Sequence, residues 1–399
     1  MFGKIKLKKS KEKSLMRCHP WVFSGAIGYI ESGIKEGDTV EVFDSLDNYL
    51  ATGHYQPTSI AVRIFSFERT DTTRQFWKTK LLKAARLRKE LGFPSGSTNA
   101  FRLVNAEGDG LPGLVIDYYD RHLVFQAHSA GMFFQLDLFK DLLGEVIAEV
   151  FDLSLKSVYN KSSQTVPFKV QPDKNDGFVA GGEFKGSELE IIENNNRFIV
   201  DIEGGQKTGL FLDQRDNRSL LGSCCKNKKV LNTFSYTGGF SVYAFQGNAE
   251  SVCSVESSAK SIELEKRNIK LNFKNNVNHL SYCEDVFKFF HNNDDIFDII
   301  ILDPPAFVKH LDSFQQGLRG YEKLNRIALK KIRPGGILFT FSCSQIVSKE
   351  DFKKAVFYSA LESKRNLKIL RQLSQPADHP FSIYHPEGDY LKGFMISVD

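Results

Sequence analysis

The chain has 399 residues, more than one ordinary core accommodates, and its 41% hydrophobic and 25% charged residues match a globular composition of two or three domains. No window approaches ~18 consecutive apolar residues, which excludes a membrane-spanning helix. The net charge of +5 is too mild to define a partner by itself, but it is unevenly placed.

The excess sits at the start. Residues 1–17 hold Lys4, Lys6, Lys8, Lys9, Lys11, Lys13 and Arg17 against Glu12 alone, either as an unstructured tail or as an edge that contacts phosphates. No apolar stretch follows, so this start reads as mature protein, not as a signal peptide. Short β-rich runs then follow at 22–23, 38–43, 49–53 and 60–65, punctuated by glycines and by the turn Asp44–Asn48. Residues 1–70 are therefore expected to form a small all-β barrel or sandwich. Its His19-Pro20-Trp21-Val22-Phe23 stretch puts Trp21 and Phe23 in the core and lets Arg17 and His19 face outward.

Residues 71–195 read as a separate α/β or α+β domain. A helical pattern covers 71–92, strands are expected at 101–105, 114–118, 122–128 and 156–160, and a second amphipathic helix at 133–151. PDKNDG (172–177) reads as a polar loop, and 188–192 with 197–201 as a hairpin. This segment carries no recognisable constellation of chemistry.

From 196 to 399 the rhythm changes to alternating strands and helices. Strands are expected at 229–232, 251–255, 280–283, 297–302 and 336–341, with helices starting at 240 and covering 259–272, 286–291 and 316–332. Such alternation produces a Rossmann-like parallel sheet with helices on both faces, and ligands bind beyond the carboxyl ends of its strands. The polar tips all fall on that edge. After the first strand, ending at Asn232, the loop Phe234-Ser235-Tyr236-Thr237-Gly238-Gly239 lets backbone approach a ligand at a helix N-terminus. Glu256 ends the second strand and suits two ribose hydroxyls; Asp285 follows the third and suits an adenine amino group. Each acid alone is an ordinary solvated loop residue; the loop and the two acids together, three tips at the strand ends of one sheet, make a nucleoside pocket.

The loop lacks the G-x-G-x-x-G of a dinucleotide site, and the chain has no G-x-x-x-x-G-K-[ST] phosphate loop. A sulfonium cofactor has no pyrophosphate to cradle, so the looser glycine spacing favours S-adenosylmethionine over NAD or ATP. A fourth tip is Asp303-Pro304-Pro305-Ala306-Phe307. Its prolines remove backbone donors and leave the Asp303 carboxylate and nearby carbonyls as acceptors for a planar base, or else make a rigid loop with a capping Asp. The fifth tip is TFSCSQ (340–345), which puts Cys343 between two serines. A free Cys is most often a small core residue; at the mouth of a sheet it is a nucleophile. The six cysteines, 18, 224, 225, 253, 283 and 343, have no C-x-x-C spacing and no regular framework, which indicates reduced thiols in the cytoplasm and no disulfide or zinc site.

The stretches GQKTGLFLDQRDNR (205–218), LNTFSYTGGFSVYA (231–244), LDPPAFV (302–308), GGILFTFSCS (335–344) and QPADHPFSIYHPEGDYLKGF (375–394) resemble class I S-adenosylmethionine-dependent methyltransferases, specifically the bacterial 23S rRNA cytosine-5 methyltransferase family. Residues 1–70 resemble that family's RNA-binding PUA domain, and the middle segment its α/β insert. The resemblance implies a cytoplasmic enzyme that forms 5-methylcytosine in 23S ribosomal RNA, with a homodimer as its assembly. It implies Cys343 as the thiol that adds to carbon 6 of the cytosine and Asp303 as the group on the base edge. It also implies Arg215, Asn232, Phe234, Tyr236, Gly238, Glu256 and Asp285 around the cofactor, with Arg215 toward its carboxylate. Lys8, Arg17, His19, Pro304, Phe307 and His379 are then the RNA contacts, although packing is the commoner fate of a Phe, and a buried histidine is an equal reading of His379. Two departures stand out. Ala306 occupies a position where close relatives are expected to carry lysine, and the loop lacks a second cysteine, so the base that takes the carbon 5 proton stays open between water and Asp303. Two rival readings follow from the same residues: N-methylation of an exocyclic amine, in which Cys343 is idle, and an RNA-binding assembly factor with an inactive methyltransferase domain.

Overall fold

The computed structural model describes residues 2–166, 176–182, 188–274, 277–308 and 310–399; most of the polar loop expected at 172–177 lies outside them. The described chain forms two compact units. One comprises residues up to 191, 200–212 and 377–388; the other comprises 192–199, 213–376 and 389–399.

The first unit contains two sheets. The six-stranded sheet has the spatial order Trp21–Phe23, Ile60–Ser66, Tyr49–Tyr55, Thr39–Phe43, Gly3–Leu7, Ile27–Ile30. Its Gly3–Leu7 strand overturns the tail reading of the N-terminus. Ile5 and Leu7 alternate inward and are buried, while Lys4 and Lys6 point outward and both bind Asp47, at 2.5 and 2.7 Å. The charge density had hidden a period-2 pattern. The Ile27–Ile30 strand was likewise not expected; it pairs antiparallel with Gly3–Leu7.

The five-stranded sheet of this unit runs Gly177–Gly181, Ser157–Asn160, His122–Ala127, Leu114–Tyr119, Ala100–Asn105, packed on helices Arg74–Glu90 and Leu136–Phe151. Thr73 caps the first helix by accepting from the Phe76 amide. The expected 133–151 helix is two: Ala130–Phe134, capped by Ser129, and Leu136–Phe151. The core of this layer includes Phe65 of the neighbouring sheet, so the two sheets share apolar contacts through Phe65 and Trp77, whose rings lie 5.0 Å apart. Glu188–Glu193 and Asn196–Asp201 form the expected hairpin.

The second unit is built on a seven-stranded sheet, ordered His279–Cys283, Ser251–Glu256, Lys229–Thr233, Phe297–Leu302, Ile332–Ser342, Lys392–Val398, Leu367–Leu373. Its first five strands are mutually parallel, and Lys392–Val398 inserts antiparallel between its two neighbours. Phe297–Leu302 is buried at every position, as expected for a strand covered on both faces. The strand order reverses between Lys229–Thr233 and Phe297–Leu302, which creates the crevice where open α/β sheets bind ligands. A helix at Lys349–Ser363, capped by Ser348, was not anticipated. Leu367–Leu373 and Lys392–Val398 pair antiparallel through a long connection, and Asp378, His379, Glu387 and Tyr390 lie in that connection, not in a strand. Among the described residues no helix is long and apolar enough to cross a membrane, and no cluster of His, Cys, Asp or Glu is arranged to hold a metal ion.

Candidate active site

The register of the seven-stranded sheet sets the site. Thr233 pairs with Leu302, and Leu302 pairs with Thr340, so three loops leave the same edge side by side. They begin at Phe234, Asp303 and Cys343.

The first loop is tightly bent. Phe234, Tyr236 and Gly238 have φ of 54°, 49° and 80°, the left-handed region in which only glycine is unstrained. Two supports hold it. The Glu256 carboxylate accepts from the Tyr236 amide at 3.1 Å and from the Ser258 amide at 2.9 Å. From below, helix Ala259–Phe273 contributes Glu265, fully buried, whose carboxylate accepts from the Ser235 hydroxyl at 2.8 Å, and Asn268, which donates to the Thr237 carbonyl at 2.9 Å. Neither residue stood out in the sequence, because each looks like one polar position of an amphipathic helix. A Cβ at Gly238 would sit 2.6 Å from Glu265 Cγ, so this position requires glycine on both torsional and steric grounds.

Asn232 lies in the strand with its side chain buried. Its amide donates to Ser241 Oγ at 2.8 Å, which continues to Ser254 and His279 at 2.8 and 2.9 Å. This polar chain anchors the helix that begins at Gly239. Asp285 is exposed and caps helix Val286–Asn292, accepting from the Lys288 amide at 3.0 Å through one oxygen. Arg215 is buried at the start of helix Arg215–Gly222, 3.6 Å from Asp216. Asp213 accepts from the Tyr390 hydroxyl at 2.8 Å.

The second loop, Asp303-Pro304-Pro305, is oriented by a residue not singled out for this role in the sequence. Gln214 Nε2 donates to Asp303 Oδ2 at 3.1 Å, and Asn217 in turn donates to Gln214 Oε1 at 2.7 Å, which leaves the Gln214 amide only one orientation. Phe307 is half-buried, with its ring 4.8 Å from that of Tyr321. The fully buried Tyr321 hydroxyl accepts from Ser342 Oγ at 3.0 Å and from the Phe307 amide at 3.4 Å, tying the second loop to the third; burial pushes its pKa up to about 12.

The third loop carries Cys343. Its neighbours Ser342 and Ser344 are buried, but Cys343 itself is only half-buried, and its Sγ lies 4.0 Å from the Pro304 carbonyl. The thiol therefore stands at the tip of the sheet next to the Asp303 loop, not in the core. Lys392, which faces Ser342 across the antiparallel pair, is buried and donates to the carbonyls of Ser344 and Tyr390 at 2.7 and 2.9 Å.

The remaining residues expected at RNA belong to the first unit. Lys8 is exposed and donates to the Gly25 carbonyl at 3.1 Å, and Arg17 is exposed. His19 is half-buried, 3.3 Å from Glu387 and edge-on to Trp21 and His385. His379 is buried, with Nδ1 3.1 Å from Asp378; Asp378 also accepts from the Arg102 amide at 2.9 Å.

Comparison with known proteins decides the family. A PUA-like domain matches residues 5–67, and an S-adenosylmethionine-dependent methyltransferase domain matches 161–382. Ribosomal RNA large subunit methyltransferase I of Enterobacter sp. (strain 638) is 36% identical over 100% of both chains, and that of Tolumonas auensis 38% identical over 98% of both. The chain belongs to the large subunit methyltransferase I family. Two solved structures share the architecture of this methyltransferase over 100% of both chains at 25% identity: a methyltransferase complexed with SAH, with a TM-score of 0.84, and one from Streptococcus mutans, with a TM-score of 0.83. The methyltransferase is S-adenosylmethionine-dependent, and the close-approach loop at 234–239, with an acid at the end of the next strand, fits a nucleoside that lacks a pyrophosphate.

Proposed function

We propose that this methyltransferase forms 5-methylcytosine in 23S ribosomal RNA through a covalent adduct of Cys343. The observation that carries the reading is the accessible Cys343 thiol beside the Asp303-Pro304-Pro305 loop, with Sγ 4.0 Å from the Pro304 carbonyl. The names of the relatives support ribosomal RNA of the large subunit as the substrate class.

Carbon 5 of cytosine is a weak nucleophile, so the chain must activate it. Cys343 Sγ, as thiolate, bonds to carbon 6, and the electron pair of the 5,6 double bond moves to make carbon 5 nucleophilic. Bound S-adenosylmethionine supplies an electrophilic methyl group whose sulfur departs as a neutral thioether. Asp303, oriented by Gln214, hydrogen-bonds the base edge and favours the adduct. Loss of the carbon 5 proton to water or Asp303 re-forms the double bond and expels the Cys343 thiolate. Around the cofactor, Phe234, Tyr236 and Gly238 furnish the backbone surface, Glu256 the ribose acceptor, Asp285 its second carboxylate oxygen for the adenine, and Arg215 the cation for the carboxylate. Asn232 acts beneath them by fixing the helix N-terminus. Lys8, Arg17 and His19 contact phosphates, and Pro304 and Phe307 lie on the target side; His379, buried against Asp378, contributes to RNA binding within the first unit.

Mapping 5-methylcytosine in ribosomal RNA from a deletion strain tests this. One large-subunit site is expected to lose its methyl group and to regain it when the gene is restored; an unchanged map refutes the reading. Gly238→Ala is expected to lower S-adenosylmethionine affinity at least about tenfold and to cost ~1–2 kcal/mol of stability, because φ of 80° and the Glu265 contact must both be relieved. Calorimetric titration and urea unfolding of the variant check both numbers.

A further inference from the structure

A cysteine nucleophile works as the thiolate, and an ordinary thiol near pKa 8.5 is only a few per cent ionised at neutral pH. Some group must hold the negative charge. Lys392 is 4% exposed, and its ammonium hydrogen-bonds the Ser344 carbonyl, one residue after Cys343, while its own backbone pairs with Ser342, one residue before. With the Tyr390 carbonyl as the second acceptor, two of its three N–H groups are engaged and the ammonium is held in place.

We infer that Lys392 is a positioning residue for catalysis, a buried cation built against the Cys343 segment to hold its sulfur as thiolate. The inference rests on the reading of Cys343 as the nucleophile. The step is a proton equilibrium only: the Cys343 S–H proton goes to solvent, and Lys392 keeps its own.

The surrounding charges agree with this role. Burial pulls the Lys392 pKa down to about 8, Asp389 and Cys343 act in the opposite direction, and Lys349 adds to the lowering. An anion forming beside the lysine opposes that lowering, so thiolate and ammonium stabilise one another. Tyr321 senses the charges of both Cys343 and Asp303, and the thiol lies 4.0 Å from the carbonyl of Pro304, the residue after Asp303. An Asp303 carboxylate opposes ionisation of Cys343, which makes a compensating cation necessary. The pair is also insulated: a buried ammonium is screened far less by salt than a surface one.

The test is a pH titration of the Cys343 thiol in the RNA-free protein, read as the rate of iodoacetamide alkylation of the Cys343 peptide by mass spectrometry. The wild-type thiol is expected to ionise below 8, and Lys392→Met to raise its pKa by about one unit, an approximately tenfold drop in alkylation rate at pH 7. Lys392→Arg, which keeps the charge, is expected to restore part of it. A reciprocal variant needs no change at Lys392: in Cys343→Ala the lysine loses its counter-charge, so an NMR titration of 15N-lysine-labelled protein is expected to show its pKa falling. An unperturbed wild-type thiol, a thiol pKa that is the same in Lys392→Met, or a Lys392 pKa that does not respond to Cys343→Ala overturns the inference. The outcomes separate from those of the proposed function. A low thiol pKa dependent on Lys392 in a protein that methylates no cytosine defeats the cytosine reading alone; cytosine methylation with a thiol indifferent to Lys392 defeats this inference alone.

Discussion

Replacing Cys343 by alanine is expected to abolish methyl transfer to cytosine RNA, by on the order of 10³-fold or more, while S-adenosylmethionine still binds. The size of the effect follows from the role proposed for the thiol. Without attack at carbon 6, carbon 5 has no electron pair to offer, and no other group in the three loops supplies one. The retained binding follows from geometry: Cys343 follows the Ile332–Ser342 strand, whereas the Phe234–Gly239 loop and Glu256 leave two other strands. The fold is also expected to tolerate the change, because Cys343 is half-buried and Ser342, not Cys343, ties the loop to Tyr321. RNA carrying 5-fluorocytosine sharpens the measurement. Fluorine cannot leave carbon 5 as a proton does, so the wild-type protein should remain covalently attached and migrate with RNA on a denaturing gel, and Cys343→Ala should not. Turnover unchanged in the alanine variant would point instead to methylation of an exocyclic amine. Absence of cofactor binding in the wild-type protein would point to the assembly-factor reading.

Arg218 and Glu193 support the loop proposed to hold the cofactor, and their loss is the second large effect. Arg218 and Glu193 form a two-pronged ion pair at 2.9 and 2.6 Å, with side-chain exposures of 3% and 0%, and the Tyr243 hydroxyl adds a third hydrogen bond to Glu193 at 3.0 Å. Arg218→Met is expected to cost ~3–5 kcal/mol in urea unfolding, because it strands a buried carboxylate. A Cβ on Gly239 would lie 3.0 Å from Arg218 Cδ, so the arginine stem also packs against the start of helix Gly239–Gln246, and cofactor affinity should fall with stability. The double variant Arg218→Met, Glu193→Leu is expected to recover much of the loss, since an apolar pair of similar volume avoids the desolvation of both ions. A loss under about 1 kcal/mol in the single variant would show that water reaches Glu193 and that the pair is no stronger than a surface one.

Much of the architecture is legible in the chain. The alternation of buried apolar runs with amphipathic helices from 229 onward specifies a parallel sheet, because a strand covered on both faces must be apolar at every position, as Phe297–Leu302 is. The tips follow from the same logic: polar residues immediately after such runs, at Glu256, Asp303 and Cys343, sit on the carboxyl edge wherever the strands pair. Where one local signal masked another, the reading failed. At 3–7 the lysines obscured the alternation of Ile5 and Leu7, and only pairing with Ile27–Ile30 and Thr39–Phe43, with Asp47 beneath the lysines, makes the stretch a strand.

What the amino-acid order alone determines is thus which residues reach the sheet edge, since periodicity and turn chemistry act over a few positions. Which of them touch is decided by the tertiary structure. Gln214 finds Asp303 across 89 residues, Glu265 finds Ser235 across 30, and Lys392 finds the Ser344 carbonyl across 48. Hydrogen bonds and buried charges fall off within a few ångströms, so separations of that length are set by strand order and register, and no local pattern in the chain announces them.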